Sequence, residues 1–123
     1  MGKKPKLSIG LLVLRCNDIE VTRAFYDQLG FVFSLEKHGS GPEHFACERD
    51  GFVLELYPSS DRHPPDKVRF GLALTLSADS SGDILQYPNL KVLRTPDVVG
   101  NRLVMLLEDP DGRKVEISQA LKH

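Results

Sequence analysis

The chain has 123 residues, of which 41% are hydrophobic and 27% charged, and its formal net charge is −1. This length suits one compact domain with its own core, and the dispersed basic residues do not resemble the basic surface of a nucleic-acid binder. The longest apolar run near the start, SIGLLVL, ends at Arg15 and is too short to cross a membrane. We therefore expect a cytoplasmic protein that binds neither nucleic acid nor membranes.

The first half of the sequence predicts the element order β-α-β-β-β. LSIGLLVLRC is typical of a strand, and NDIEVTRAFYDQLG predicts a helix with Asn17 as N-cap, Glu20 completing a capping box and Gly30 at the C-terminal stop. FVFSLEK predicts a second strand and HGSGP a loop. EHFACER and FVLELYP then predict a hairpin around Asp50 and Gly51.

Cys16 and Cys47 are the two cysteines of the chain, and both fall inside predicted strands. They lack the CxxC spacing of a metal or redox motif. We therefore interpret them as buried core thiols in a reducing compartment, which agrees with a cytoplasmic location.

A second copy of the pattern follows 61 residues later (116 minus 55). The matches fall at turn and strand positions, where Gly10 corresponds to Gly71, Asp50 to Asp111, and Glu55 to Glu116. We predict two modules, 8–58 and 69–119, within one domain that spans residues 1–123, joined by a linker at 59–68 that is rich in Pro, Ser and charge. In the second module SADSSGDILQYP is a poor helix, whereas RLVMLLE and KVEIS restore the hairpin around DPDG.

Each module carries one glutamate within its last strand. Strand alternation puts Glu55 on the face of Tyr57, opposite Leu54 and Leu56, and puts Glu116 on the equivalent face of the second sheet. Burying a carboxylate is costly unless something pairs with it. If the modules pack with pseudo-twofold symmetry, the two faces form one cleft between curved mixed sheets. The carboxylates then converge on that cleft in an α+β fold.

The paired modules resemble the vicinal oxygen chelate superfamily, which includes glyoxalase I, bleomycin-resistance proteins, fosfomycin-resistance enzymes and extradiol dioxygenases. The matching stretches are LLVLRCNDIEVTRAFYDQLGF and LLEDPDGRKVEIS, and the resemblance covers nearly the whole chain. It implies the fold but not the reaction, because the superfamily spans many chemistries. It also implies a homodimer, since members commonly dimerise and the sheet edges need covering.

In metal enzymes of this superfamily, the ligands come from the first and last strand of each module, often His or Gln early and Glu late. The resemblance places the late ligands on Glu55 and Glu116. It places the early ones on Leu11 and on Leu72, or on Gly71 if the register slips by one. Leucine and glycine have no side-chain donor, so we predict no metal and no other cofactor.

His44 lies on a strand beside that of Glu55 and faces the same side if a two-residue turn sets the register. Its repeat counterpart is Met105, so there is no symmetric histidine pair, and we interpret His44 as a polar group at the cleft wall. A mostly apolar lining with a few polar groups suits a small organic ligand. The predicted ligand-binding residues are Leu11, Val13, Arg15, His44, Glu55, Tyr57, Leu72, Leu74, Met105 and Glu116.

The leading functional hypothesis is a metal-free small-molecule-binding protein of the glyoxalase/bleomycin-resistance type. It would bind or sequester a small cationic or aromatic compound and catalyse nothing. The alternative is a metal-dependent lyase, isomerase or dioxygenase with a rearranged ligand set that includes Glu55, Glu116 and His44. A third hypothesis is an interaction module whose cleft is filled by its own side chains. Metal content after purification without chelator discriminates between the first two.

Overall fold

A computed structural model describes residues 2–74 and 90–121 of the chain. In chain order the described elements are β1 (Leu11–Cys16), α1 (Ile19–Gln28), β2 (Ser34–Glu36), β3 (His44–Arg49), β4 (Phe52–Pro58), β5 (Phe70–Leu74), β6 (Lys91–Val99), β7 (Arg102–Glu108) and β8 (Lys114–Ala120). The strands form two four-stranded sheets in the orders β1-β4-β3-β2 and β5-β8-β7-β6. This confirms the predicted α+β class and the repeated module. The poor helix predicted at 77–88 lies outside the described residues.

The chain divides into two compact units, Met1–Pro65 and Asp66–His123. Each unit contains one sheet, and the division lies inside the predicted linker at 59–68. In each sheet the first strand pairs in parallel with the last, and the remaining pairs are antiparallel. Among the described residues, none of the helical structure is long and apolar enough to span a membrane.

Helix α1 is capped by Asp18 rather than by the predicted Asn17. Asp18 has an extended backbone, and its Oδ1 accepts the backbone N–H groups of Glu20 at 2.9 Å and Val21 at 3.4 Å. Gly30 follows the last turn with φ of 103°, a conformation that favours glycine, so the predicted C-terminal stop is confirmed. The side chains that α1 buries are Thr22, Phe25 and Tyr26.

The position of α1 shows which face of the first sheet it covers. Arg23 of α1 places Cζ 5.5 Å from the ring centroid of Phe45, and Phe45 is in register with Leu56. Alternation therefore puts His44 and Glu55 on the opposite face, as predicted. The covered face supplies the core of this unit, which includes Leu14, Cys16, Phe45, Cys47, Leu54 and Leu56. Both cysteines are buried thiols, as predicted.

The offset between the two modules is not constant. Val13 pairs with Glu55 and Gly71 pairs with Glu116. The equivalent first-strand positions are therefore 58 residues apart (71 minus 13), whereas the last-strand positions are 61 apart (116 minus 55). Strand β5 is displaced by three residues relative to the predicted repeat. Because three is odd, the displacement exchanges the faces of every side chain on β5.

The predicted face of Leu72, Leu74 and Met105 is therefore wrong. Leu72 and Met105 are both in register with Ile117, and alternation puts Leu74 on the same side. This side lies opposite Glu116, and Met105 is buried within it. For the early-strand ligand position of the second module, Leu72 and Gly71 were the two alternatives. The observed register supports Gly71.

The error at Met105 has its origin in the length of the hairpin loop. The first hairpin turns at Asp50 and Gly51, because Arg49 pairs with Phe52. In the second hairpin Glu108 pairs with Lys114, so the loop at 109–113 has five residues. The longer loop shifts β7 by one position, and the counterpart of His44 becomes Val104 instead of Met105.

The loop at 109–113 is organised by Arg113, which is fully buried. The guanidinium donates two hydrogen bonds to Asp66, at 2.7 and 2.9 Å, and one each to Asp109 and Asp111, both at 2.9 Å. Asp109 also accepts the backbone N–H groups of Asp111 and Arg113. Burial acts to lower the pKa of Arg113, but the hydrogen bonds to Asp66 and Asp109 outweigh it and raise that pKa. The DPDG motif is thus a structural loop.

Candidate functional site

The side of the first sheet that carries His44, Glu55 and Tyr57 is called the His44 face. A row of four polar side chains crosses it, one from each strand: Arg15, Tyr57, His44 and Glu36. Arg15 is in register with Tyr57, and Glu36 is in register with His44. The rings of His44 and Tyr57 are stacked, with centroids 4.1 Å apart and planes 7° apart. Arg15 holds Cζ 4.8 Å from the Tyr57 ring centroid.

A second row, parallel to the first, surrounds Glu55 with small or apolar residues. Val13 and Ala46 flank Glu55 on the neighbouring strands, and Ser34 of β2 is in register with Ala46 of β3. Leu11 and Val13 are 53% and 37% exposed, while the side chain of Glu55 is only 19% exposed. The predicted residues Leu11, Val13, Arg15, His44, Glu55 and Tyr57 therefore share one face. The face combines an apolar strip, a carboxylate and an aromatic group.

His44 is 1% exposed, and its two ring nitrogens have different surroundings. Its Nδ1 lies 3.2 Å from the carbonyl oxygen of Pro42. Since a carbonyl only accepts, Nδ1 carries a proton and donates. Its Nε2 has no hydrogen-bond partner among the described residues, and lies 3.6 Å from Glu36 Oε2 and 3.7 Å from Glu55 Oε2. A neutral His44 therefore presents a buried lone pair to two carboxylates.

Tyr57 remains a neutral phenol at physiological pH. Burial raises its pKa, the negative charges of Glu55 and Glu36 raise it further, and the positive charge of Arg15 acts in the opposite direction. The hydroxyl is thus available as a hydrogen-bond donor beside the carboxylate of Glu55.

Two residues of this region, Glu36 and His38, were missed by the sequence analysis. His38 is 74% exposed, and its Nε2 lies 3.6 Å from Glu36 Oε2. Its ring centroid is 5.2 Å from that of His44. The signal was present in the sequence, because a Gly-Pro loop that returns the chain from β2 to β3 brings residues on either side of it together. The interpretation of HGSGP as a loop alone overlooked this.

The corresponding face of the second sheet has different chemistry. Glu116 lies 3.6 Å from Arg69 Nη2 through its Oε1, and its partners in register are Gly71 and Leu106. Val104 stands where the first sheet has His44. The two glutamates thus occupy equivalent strand positions but have different neighbours.

The metal-ligand pattern of the superfamily does not fit these residues. The first-strand positions implied by the resemblance are Leu11 and Leu72, and the residues actually in register with the two glutamates are Val13 and Gly71. None of the four has a side-chain donor. Glu55 and Glu116 therefore lack the early-strand partners that such a site requires.

The model of the Glyoxalase/Bleomycin resistance protein/Dioxygenase superfamily matches residues 8–117. The chain belongs to this superfamily. The resemblance stated from the motifs is thereby confirmed over nearly the whole sequence. No curated protein sequence matches the chain significantly.

Solved structures from this superfamily share the fold. TnmS3, an antibiotic binding protein from Streptomyces sp. CB03234, is 21% identical with a TM-score of 0.69, and the match covers 96% of this chain and 99% of that one. A glyoxalase/bleomycin resistance protein from the same organism is 25% identical with a TM-score of 0.65, covering 91% and 100%. A glyoxalase-related enzyme from Fulvimarina pelagi is 21% identical with a TM-score of 0.62, covering 91% and 87%. Binding proteins and enzymes thus share this architecture.

Proposed function

We propose that this protein binds or sequesters a small organic compound on the His44 face, and that the compound carries a cationic or hydrogen-bond-donating group. The observation that carries the proposal is the position of Glu55, a largely buried carboxylate beside the exposed apolar residues Leu11 and Val13. An apolar surface with a few fixed polar groups is typical of small-molecule sites.

The two parts of the face have different tasks in this proposal. Covering Leu11 and Val13 supplies affinity, at about 25 cal/mol per Å² of apolar surface before the costs of association. Glu55 selects for positive charge, because a carboxylate in a poorly solvated position interacts strongly with a cation. Tyr57 stays protonated and offers a donor to an oxygen or nitrogen of the same compound.

The superfamily supports a binding role in general terms. TnmS3, which shares the fold, is an antibiotic binding protein. The contacts proposed for the organic compound involve only side chains of this chain. A non-catalytic role therefore needs no residue beyond those on the His44 face.

A thermal-shift screen tests the proposal with cationic aromatic compounds and their neutral and anionic analogues. A compound that binds only the folded state stabilises it by about 2.7 kcal/mol at a hundredfold excess over its Kd. We expect cationic hits, and we expect Glu55→Gln to weaken them about tenfold or more. Glu48→Gln is the matched control, because Glu48 is an exposed glutamate one row further along the same face.

The apolar part of the site has its own control pair. Leu11→Ala should weaken every hit, whereas Leu35→Ala should not, although both leucines are exposed to a similar extent. Leu35 is in register with Phe45 and therefore lies on the other face. The proposal is overturned if anions bind best, or if the hits bind as tightly to the Glu55→Gln variant as to the wild type.

We also propose that the protein is a homodimer. Strand β6 forms one edge of the second sheet, and it exposes Val92, Leu93, Val98 and Val99. An exposed apolar edge favours pairing with another chain. Light scattering at micromolar concentration should report a dimer, and Val98→Lys should shift it toward monomer. A wild-type protein that is monomeric throughout would contradict this.

A cytoplasmic location is the remaining part of the proposal. Its support is the pair of buried thiols, Cys16 and Cys47, which suit a reducing compartment. Fractionation of the source cells tests it, and recovery of the protein outside the cytoplasm would contradict it.

A further inference from the structure

We infer that Glu36, His38 and His44 form a binding site for a divalent transition-metal ion. One ligand atom from each of Glu36, His38 and His44 lies within 4.8 Å of the other two. These residues belong to β2, the following loop and β3. They are not the first- and last-strand positions at which the superfamily holds its metals.

The state of His44 is the main argument for a metal. The hydrogen bond from Nδ1 to the Pro42 carbonyl fixes the proton on Nδ1, so Nε2 of the neutral ring has a free lone pair. Metal-binding histidines commonly donate their other ring N–H to a carbonyl or carboxylate in this way. The stack on Tyr57 also fixes the orientation of the ring. His44 is therefore pre-oriented as a ligand.

The polar groups around Nε2 of His44 favour a bound cation. A buried polar atom without a hydrogen-bond partner is rare and costly, and here carboxylate oxygens of Glu36 and Glu55 lie 3.6 and 3.7 Å from Nε2. An imidazolium could donate to one of them, but charge-assisted hydrogen bonds of that kind are about 2.7–2.9 Å long. The observed separations of 3.6 and 3.7 Å are too long for such a bond.

The same separations suit a shared metal ion. Nitrogen and oxygen ligands bind tetrahedral Zn²⁺ at about 2.0–2.2 Å, which puts neighbouring ligand atoms about 3.4 Å apart. The pairs His44–Glu36 and His38–Glu36 both lie at 3.6 Å. The ligand atoms of His38 and His44 lie within 4.8 Å of each other, and rotation of the exposed His38 side chain closes this third pair around one ion.

The donor set defines the class of metal. Two imidazoles and one carboxylate suit Zn²⁺, Co²⁺ or Ni²⁺, whereas Mg²⁺ and Ca²⁺ prefer oxygen ligands throughout. His38 and Glu36 are partly exposed, so the ion can enter from that side. His44 forms the buried end of the site.

This inference does not depend on the proposed organic ligand. Glu36 and His38 lie on β2 and its loop, away from Leu11 and Val13 on β1, and Glu55 is assigned to the organic ligand. Variants of Glu36 and His38 therefore test the metal alone, and variants of Leu11 test the organic ligand alone.

The experiment titrates protein that has been treated with chelator and dialysed. Zn²⁺ binding is measured by calorimetry, and Co²⁺ binding by its visible absorption, which reports coordination geometry. We expect one ion per chain for the wild type and a loss of affinity of tenfold or more in His44→Phe, which keeps an aromatic ring against Tyr57. Glu36→Gln and His38→Asn, at exposed positions, should weaken binding without affecting folding.

The controls use the remaining histidines of the chain. His63→Ala and His123→Ala should leave the affinity and the Co²⁺ spectrum unchanged. Glu43→Gln removes a nearby exposed carboxylate and should also have no effect. A wild type that binds neither ion, or an affinity that Glu36→Gln and His38→Asn leave unchanged, overturns the inference. So does binding that disappears in His63→Ala or His123→Ala.

Discussion

Arg113, in the loop between β7 and β8, and His44, in the first sheet, are both almost completely buried, at 0% and 1% exposure, but their polar atoms are paired to different extents. Arg113 donates to three carboxylates, two of which are themselves buried. His44 Nε2 faces two carboxylates and has no hydrogen-bond partner among the described residues. Complete pairing is what a structural polar group requires. The incomplete pairing at His44 is the observation on which the proposed metal site rests.

The largest loss of unfolding free energy should come from removing the charge of Arg113. Arg113→Met leaves Asp109 and Asp111 buried without their cation, which costs about 3–5 kcal/mol of unfolding free energy. Chemical denaturation measures the loss. Arg69→Met is the control, because Arg69 forms an exposed pair with Glu116 and should cost less than about 1 kcal/mol. Equal effects of the two substitutions would show that burial of Arg113 does not matter.

A smaller loss should follow from neutralising Asp66, which holds Arg113 from the linker side. Asp66→Asn keeps the size of the side chain but removes the charge from a two-bond contact, so we expect a loss of about 1.5–3 kcal/mol. Asp61→Asn provides the comparison, since Asp61 is an exposed residue of the same linker. If both substitutions were neutral, Asp66 would be ordinary linker.

His44 should behave differently from Arg113 in the same assay. His44→Phe removes the unpaired Nε2 and keeps a ring that can stack on Tyr57, but it also removes the Nδ1 hydrogen bond to Pro42, so the unfolding free energy should change by less than about 1 kcal/mol. The measurement uses metal-free protein for both variants. A loss of more than about 2 kcal/mol would place His44 with Arg113 as a structural residue.

The smallest expected effect is a dependence of the unfolding free energy on pH that arises from Tyr57. The folded protein holds the phenol proton more tightly than the unfolded chain, because burial and the charges of Glu55 and Glu36 raise its pKa. As pH rises past about 10, the unfolded chain ionises first and is stabilised. The contribution of Tyr57 is therefore fully present below pH 10 and is lost as pH rises through the folded-state pKa.

This dependence is measured as the difference in unfolding free energy between wild type and Tyr57→Phe. The other tyrosines of the chain are present in both proteins and cancel from the difference. The wild type should lose stability relative to Tyr57→Phe only in the alkaline range, and Glu55→Gln should reduce the loss. Curves that stay parallel at all pH values would contradict the shift.

The sequence predicted the first sheet well because its signals are local. The two-residue turn at Asp50 and Gly51 sets the register of β3 and β4, and from it the shared face of His44, Glu55 and Tyr57 follows. The family resemblance was equally accessible from the motifs. Only the N-cap differed, since Asp18 rather than Asn17 caps the helix.

The second sheet could not be predicted in the same way. The faces of β5 were predicted by carrying over the 61-residue offset of the last strands, and on the first strands the offset is 58. Likewise, the five-residue loop at 109–113 depends on contacts between Arg113 and Asp66, 47 residues apart. The cluster of Glu36 with His38 and His44 was missed because it depends on how a loop returns, which single-strand alternation does not show.

The displacement of β5 also has a use in protein engineering. The register places Gly71, not Leu72, opposite Glu116, and a Cβ built on Gly71 would meet the nearest atom, Glu116 Oε2, at an ordinary contact distance of 3.5 Å. Gly71→His therefore adds an imidazole next to an existing carboxylate on a strand that already accepts the backbone geometry. The second half of the duplicated chain thus offers a scaffold on which a designed metal centre can be started with a single substitution.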